Sequence, residues 1–122
     1  MFTGEQFMAH MIGDYIVQNN WMAKNKTYNS TICMIHAALY TLCFIFITQS
    51  ALALLIILMT HFFIDRFDLA CFVVWFKNGC SGPVTKNGFP EGTPAHIGDW
   101  VKIIVDNIMH ICINALAIYY LG

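Results

Sequence analysis

The chain reads as an all-α protein, an integral membrane four-helix bundle with a Gly/Pro-rich loop between helices 3 and 4. Three observations carry that expectation. Of its 122 residues 58% are hydrophobic and 11% charged, with a mean hydropathy of +0.61, whereas about a quarter of the residues in typical soluble proteins are charged. Four apolar segments approach the about 20 residues that a helix needs to cross a bilayer. Inside those segments, polar residues recur four apart, the spacing of one helix face.

The first helix is expected at about 3–21; it is short and polar and contains "HMIGDYIVQ". The second, about 31–48, reads "TICMIHAALYTLCFIFIT". Only "QS" separates it from the third, about 51–76, which implies an antiparallel helical hairpin. An irregular loop at about 77–99 holds all three prolines and five of the eight glycines. Its length suggests a lid, a re-entrant segment or a partner surface. The fourth helix, about 100–121, ends on Tyr119 and Tyr120, residues suited to a membrane interface. All of 1–122 is taken as one membrane domain.

Lys24 and Lys26 fall in the first loop and Lys77 and Lys86 in the third. The positive-inside rule makes that face cytoplasmic and puts both termini outside, as in a bacterial inner membrane protein. The start "MFTGEQFMAHMIGD" lacks the basic residue and unbroken apolar run of a signal peptide and is read as structure. Five cysteines without a C-x-x-C pair read as small buried thiols. A net charge of −1 without basic blocks excludes nucleic-acid binding.

The chemistry sits in three pairs of equal spacing: His10 and Asp14 in "HMIGD", His61 and Asp65 in "HFFID", Asp106 and His110 in "DNIMH". The remaining helix contributes His36. An Asp at a helix centre costs about 2.5–3.5 kcal/mol on insertion scales, so three of them require compensation. Alternating helices bring all seven residues to a similar depth, in the cytoplasmic half of the bilayer. Imidazoles and carboxylates without thiolates suit Zn²⁺, Mn²⁺ or Fe²⁺, with zinc favoured; one or two ions fit, and two are preferred because seven donors are generous for one. Gln18, one turn beyond Asp14, is expected to orient substrate or a ligand, and Gly13 to permit close helix approach. Arg66 can hold a phosphate or carboxylate by its planar fork. Asp14 or Asp65 is a candidate general base. His96 in "AHIGDW" is expected to be solvated or part of a lid, outside the helix.

The order "AHMIGDYIVQNNWMAKNK", "IHAAL", "HFFIDR", "DNIMH" resembles domain of unknown function 3307, a family of small bacterial and phage integral membrane proteins. The chain departs from that pattern at Asp106-Asn107, where Asp-Gln is expected. More loosely, it is similar to the membrane-bound metal-dependent hydrolase family. That likeness implies metal-dependent hydrolysis of a lipidic or membrane-bound ester or phosphoester. Two other readings fit the same residues: a metal or proton transport element, and a metal-stabilised interaction protein, which as a homo-oligomer would bury part of an apolar girdle.

Overall fold

In the computed structural model, which describes residues 2–122, the chain forms six α-helices and one π-helical segment, with no strand among the described residues. In order these are α1 (Gly4–Met11), the π-helical segment (Ile12–Val17), α2 (Asn20–Asn25), α3 (Ser30–Leu42), α4 (Ala51–Arg66), α5 (Leu69–Lys77) and α6 (Ala95–Leu121). The all-α expectation holds, but the helices start and stop elsewhere, for local reasons.

A capping box starts α1: the Thr3 hydroxyl accepts from Gln6 N at 3.3 Å and the Gln6 side chain accepts from Thr3 N at 3.4 Å. The expected first helix does not reach Trp21 unbroken. Gln18 is extended, with φ −68° and ψ 116°, and Asn19 begins a new helix by accepting from Met22 N at 2.9 Å. The second helix ends at Leu42, not Thr48. Beyond it the chain closes in tighter turns, Phe44 N to Thr41 O and Ile47 N to Phe44 O, both at 2.9 Å. The β-branched and aromatic run "FIFIT" has poor helix propensity. Ser50 then caps α4 by accepting from Ala53 N at 3.2 Å. The expected third helix is broken at Asp68, which sits in the left-handed region (φ 49°, ψ 52°), a conformation that Asp tolerates better than most residues. The fourth begins earlier than expected, at Ala95, so His96 lies in its first turn, exposed to solvent.

At about 1.5 Å per residue, α3 and α4 extend about 20 and 24 Å, short of the ~30 Å hydrocarbon core of a bilayer. With 27 residues, α6 is the one helix among the described residues long and apolar enough to cross a membrane. Among the described residues, one helix and not the expected four has the length and composition of a span.

By internal packing the chain divides into two units, one of residues up to Phe67 together with His110–Gly122, the other Asp68–Met109. In the first, α3 and α4 pair antiparallel: Arg66 Nε donates to Ser30 Oγ at 3.0 Å near one end, and Cys33 Sγ lies 3.5 Å from Phe62 O further along. Small residues that are wholly buried, Cys33, Ala37 and Ala53, let backbones approach. Ala9, Tyr40, Phe44, Ile57 and Ala117 form the apolar core. Gly13 also serves close approach, since a Cβ there would lie 2.5 Å from Tyr40 Cδ2.

In the second unit, the Gly/Pro-rich segment is strapped to the helices around it. Cys71 Sγ donates to Thr85 O at 3.0 Å and Trp75 Nε1 to Gly82 O at 3.2 Å. Gly88 (φ +81°) lies flat on α5, where a Cβ would run into Cys71 O. Asn87 accepts from Phe89 N at 3.0 Å and donates to Asp99 at 3.3 Å. Lys102 donates to Asp68 at 2.6 Å and to Lys86 O at 2.9 Å.

Candidate metal centre

Within the first unit, the face of α4 carrying His61 and Asp65 meets the face of α3 carrying His36, and the π-helical segment delivers Asp14. A π turn holds more residues than an α turn. The buried residues of this segment are Gly13 and Asp14. Gly13 meets the Tyr40 ring while Asp14 reaches the cluster.

Four atoms converge. His36 Nε2 and His61 Nε2 are 2.9 Å apart. Asp14 Oδ1 lies 3.3 Å from the first and 3.4 Å from the second; Asp65 Oδ2 lies 3.2 and 3.1 Å from them. The four groups are buried, with both imidazoles wholly inaccessible. A neutral imidazole carries one proton, so two Nε2 atoms can satisfy at most two of these contacts by hydrogen bonding. Asp14 Oδ1 indeed has no aligned hydrogen-bond partner. What remains is a set of lone pairs pointed at a common centre.

That arrangement suits a cation. Zinc-type bonds of about 2.0–2.1 Å in a tetrahedron separate the donors by about 3.3–3.4 Å, and the five separations above span 2.9–3.4 Å. These buried Asp and His groups can hold a metal ion.

The other expected residues are not among these four. His10 Nδ1 bonds the Tyr40 hydroxyl at 2.7 Å and is 3.6 Å from Asp14 Oδ2. His110 Nε2 is 3.2 Å from Asp65 Oδ1, the oxygen turned away from the shared centre. Asp106 belongs to the second unit, half-buried on α6 one turn before His110. Arg66 is tied to the start of α3 and the turn before it, through Ser30 Oγ and through Thr27 O at 2.5 Å. Gln18 sits where the π-helical segment ends, its Oε1 buried without a hydrogen-bond partner.

Three residues of the cluster escaped the sequence reading. Lys26 Nζ donates to Asp65 Oδ2 at 2.8 Å, bringing a positive charge to the buried carboxylates. Tyr40 is wholly buried, its ring stacked on His61 with centroids 3.7 Å apart and planes at 19°. Asn114 Nδ2 donates to the Tyr40 hydroxyl at 2.6 Å. A signal existed for two of them: Tyr40 follows His36, and Asn114 follows His110, by the same four-residue step as the recognised pairs. Lys26 had none, since as a loop lysine it was accounted for by membrane orientation.

Over residues 2–121 the chain matches the family model described as a protein of unknown function (DUF3307), and it belongs to that family. No curated protein and no solved structure matches it.

Proposed function

We propose that the chain is an integral membrane metalloprotein that binds one divalent ion, with zinc the favoured identity, between His36, His61, Asp14 and Asp65, and uses it to hydrolyse a lipidic or membrane-bound ester or phosphoester. The convergence of those four donors carries the metal reading. Support for the membrane comes from an inverted distribution of side chains. Phe46 is 90% and Ile16 77% exposed, while His10, Asp14, His36, His61, Asp65 and His110 are inside. An apolar exterior around a polar interior suits lipid as solvent. The lysine distribution is what supports termini on the outer side of a bacterial inner membrane.

The two carboxylates divide the work. Asp14 Oδ1 has no hydrogen-bond partner and stands as a ligand beside the two imidazoles. Asp65 has both oxygens engaged, Oδ2 by Lys26 and Oδ1 by His110, which makes it the weakest donor of the four, and a lone pair left on these oxygens would take a proton from an attacking water. The bound metal would polarise the scissile group and acidify that water. With neutral imidazoles, two carboxylates against the Lys26 ammonium leave one negative charge, and a divalent cation would bring the site to one positive charge.

The experiment is elemental analysis and lipid-ester hydrolysis on detergent-purified protein, comparing wild type with His61→Ala, Asp14→Asn and Asp65→Asn. The reading expects near-stoichiometric metal in wild type, its loss in His61→Ala and Asp14→Asn, and retained metal without hydrolysis in Asp65→Asn. Metal-free wild type would remove its basis. The four-donor set also favours a second reading, a closed structural site. Loss of metal from Asp65→Asn as complete as from Asp14→Asn, with no hydrolysis by any form, would select it.

A further inference from the structure

Resting on the metal reading above, we infer that Tyr40 is the positioning residue that sets the plane of His61 at the ion, and that His10 serves Tyr40 rather than the ion. Metal-binding histidines are usually oriented from behind, by an acceptor for the ring nitrogen that does not face the metal. His61 has no such support, because its Nδ1 is buried without a hydrogen-bond partner. Its plane is held by contact with a ring face instead. Tyr40 supplies that face at 3.7 Å between centroids, nearly parallel.

A stacked ring positions its neighbour only if it is itself fixed, and Tyr40 is fixed at both ends. Its hydroxyl bonds His10 Nδ1 at 2.7 Å and Asn114 Nδ2 at 2.6 Å. Gly13 closes against the opposite, ring-carbon end, with space for no side chain between them. The hydroxyl thus engages a nitrogen of His10 that sequence spacing had assigned to the ion. The histidine of the first pair acts two contacts away from the metal, through Tyr40 and then His61.

The test uses Co²⁺ as probe, because the intensity and position of its visible bands report coordination geometry without reference to activity. Tyr40→Phe keeps the ring and loses both hydroxyl bonds; Tyr40→Leu loses the stack. Tyr40→Leu is expected to weaken Co²⁺ binding 10–100-fold, the range typical of groups that orient metal ligands, and to change the bound spectrum. Tyr40→Phe should keep the wild-type spectrum with a smaller loss of affinity. His10→Ala should still bind one Co²⁺, and adding His10→Ala to Tyr40→Phe should cost no more than the worse single change. If Tyr40→Leu does not fold, Gly13→Ala, which pushes on the same ring, should alter the spectrum. The inference is overturned if Tyr40→Leu, or Gly13→Ala in its place, binds Co²⁺ with wild-type affinity and spectrum, or if His10→Ala abolishes binding. A spectrum unchanged alongside lowered stability would make Tyr40 a packing residue only, while the metal reading stood. Wild type that takes up no Co²⁺ would remove both.

Discussion

Replacing Gly13 by Ala asks whether the close approach of the π-helical segment to Tyr40 is real. The added Cβ would stand 2.5 Å from Tyr40 Cδ2 and 3.2 Å from Cε2 and Cγ, whereas carbon atoms rest at about 3.5–4.0 Å. Something must move by about 1 Å. The ring is held against His61 and by two hydroxyl bonds, so it has little freedom to yield. Overpacking of this kind costs about 1–3 kcal/mol, and exchanging Gly for Ala in helical backbone returns about 0.5–1 kcal/mol. At the middle of both ranges the expected net destabilisation is about 1 kcal/mol, a lowering of the melting temperature by roughly 4 °C. Thermal unfolding of chelator-treated protein in detergent measures it, with Tyr40→Leu as the background in which the loss should shrink. A Gly13→Ala variant as stable as wild type, or an equal loss with Leu at position 40, would refute the contact.

Three further outcomes are expected. Lys26→Met leaves the Asp65 carboxylate without its ammonium; breaking a fully buried pair costs about 3–5 kcal/mol, and because the Lys26 side chain is 19% exposed the expected loss is nearer 1–3 kcal/mol, seen in denaturation of the metal-free protein and reduced when metal is added. Thr3→Ala removes the capping box of α1 and should cost about 0.5–2 kcal/mol with no change in metal content by elemental analysis. Gly88→Ala, at φ +81° and facing Cys71 O, should loosen the segment between α5 and α6 and speed its cleavage in limited proteolysis, again without effect on metal content.

The helical class was legible because composition and four-residue spacing both report on it directly. Most of the cluster was legible for the same reason: His61 and Asp65 share a face of α4, and their burial follows from that spacing. Helix ends were less so. Hydropathy averaged over a whole span hides the polar steps at Gln18 and Asp68 and stays high across Leu42, while the chain stops at these points through a capping Asn, a left-handed Asp and a β-branched and aromatic run. Those signals, "QNN", "FIFIT" and "RFD", are local and were outweighed by the apolar average. His10 illustrates a different limit. Its step from Asp14 puts it on the correct face, but which group its nitrogen meets depends on Tyr40, a residue from another helix that reads as apolar filling. Likewise the proline-rich segment read as irregular, and its straps to α5 depend on side-chain bonds such as Cys71 to Thr85 that no spacing rule encodes.

The wide turn at Ile12–Val17 also bears on how this chain can tolerate change. A wide turn carries one residue more than the α turn it replaces, so losing one residue from it and relaxing it to α pitch would keep α1 and the chain beyond the turn in phase. A residue lost from α1 itself would swing the residues on one side by about 100° relative to those on the other. Substitutions at the exposed positions Tyr15 and Ile16 leave either phase untouched. The segment should therefore accept many changes of letter, and the loss of one residue more readily than α1 does.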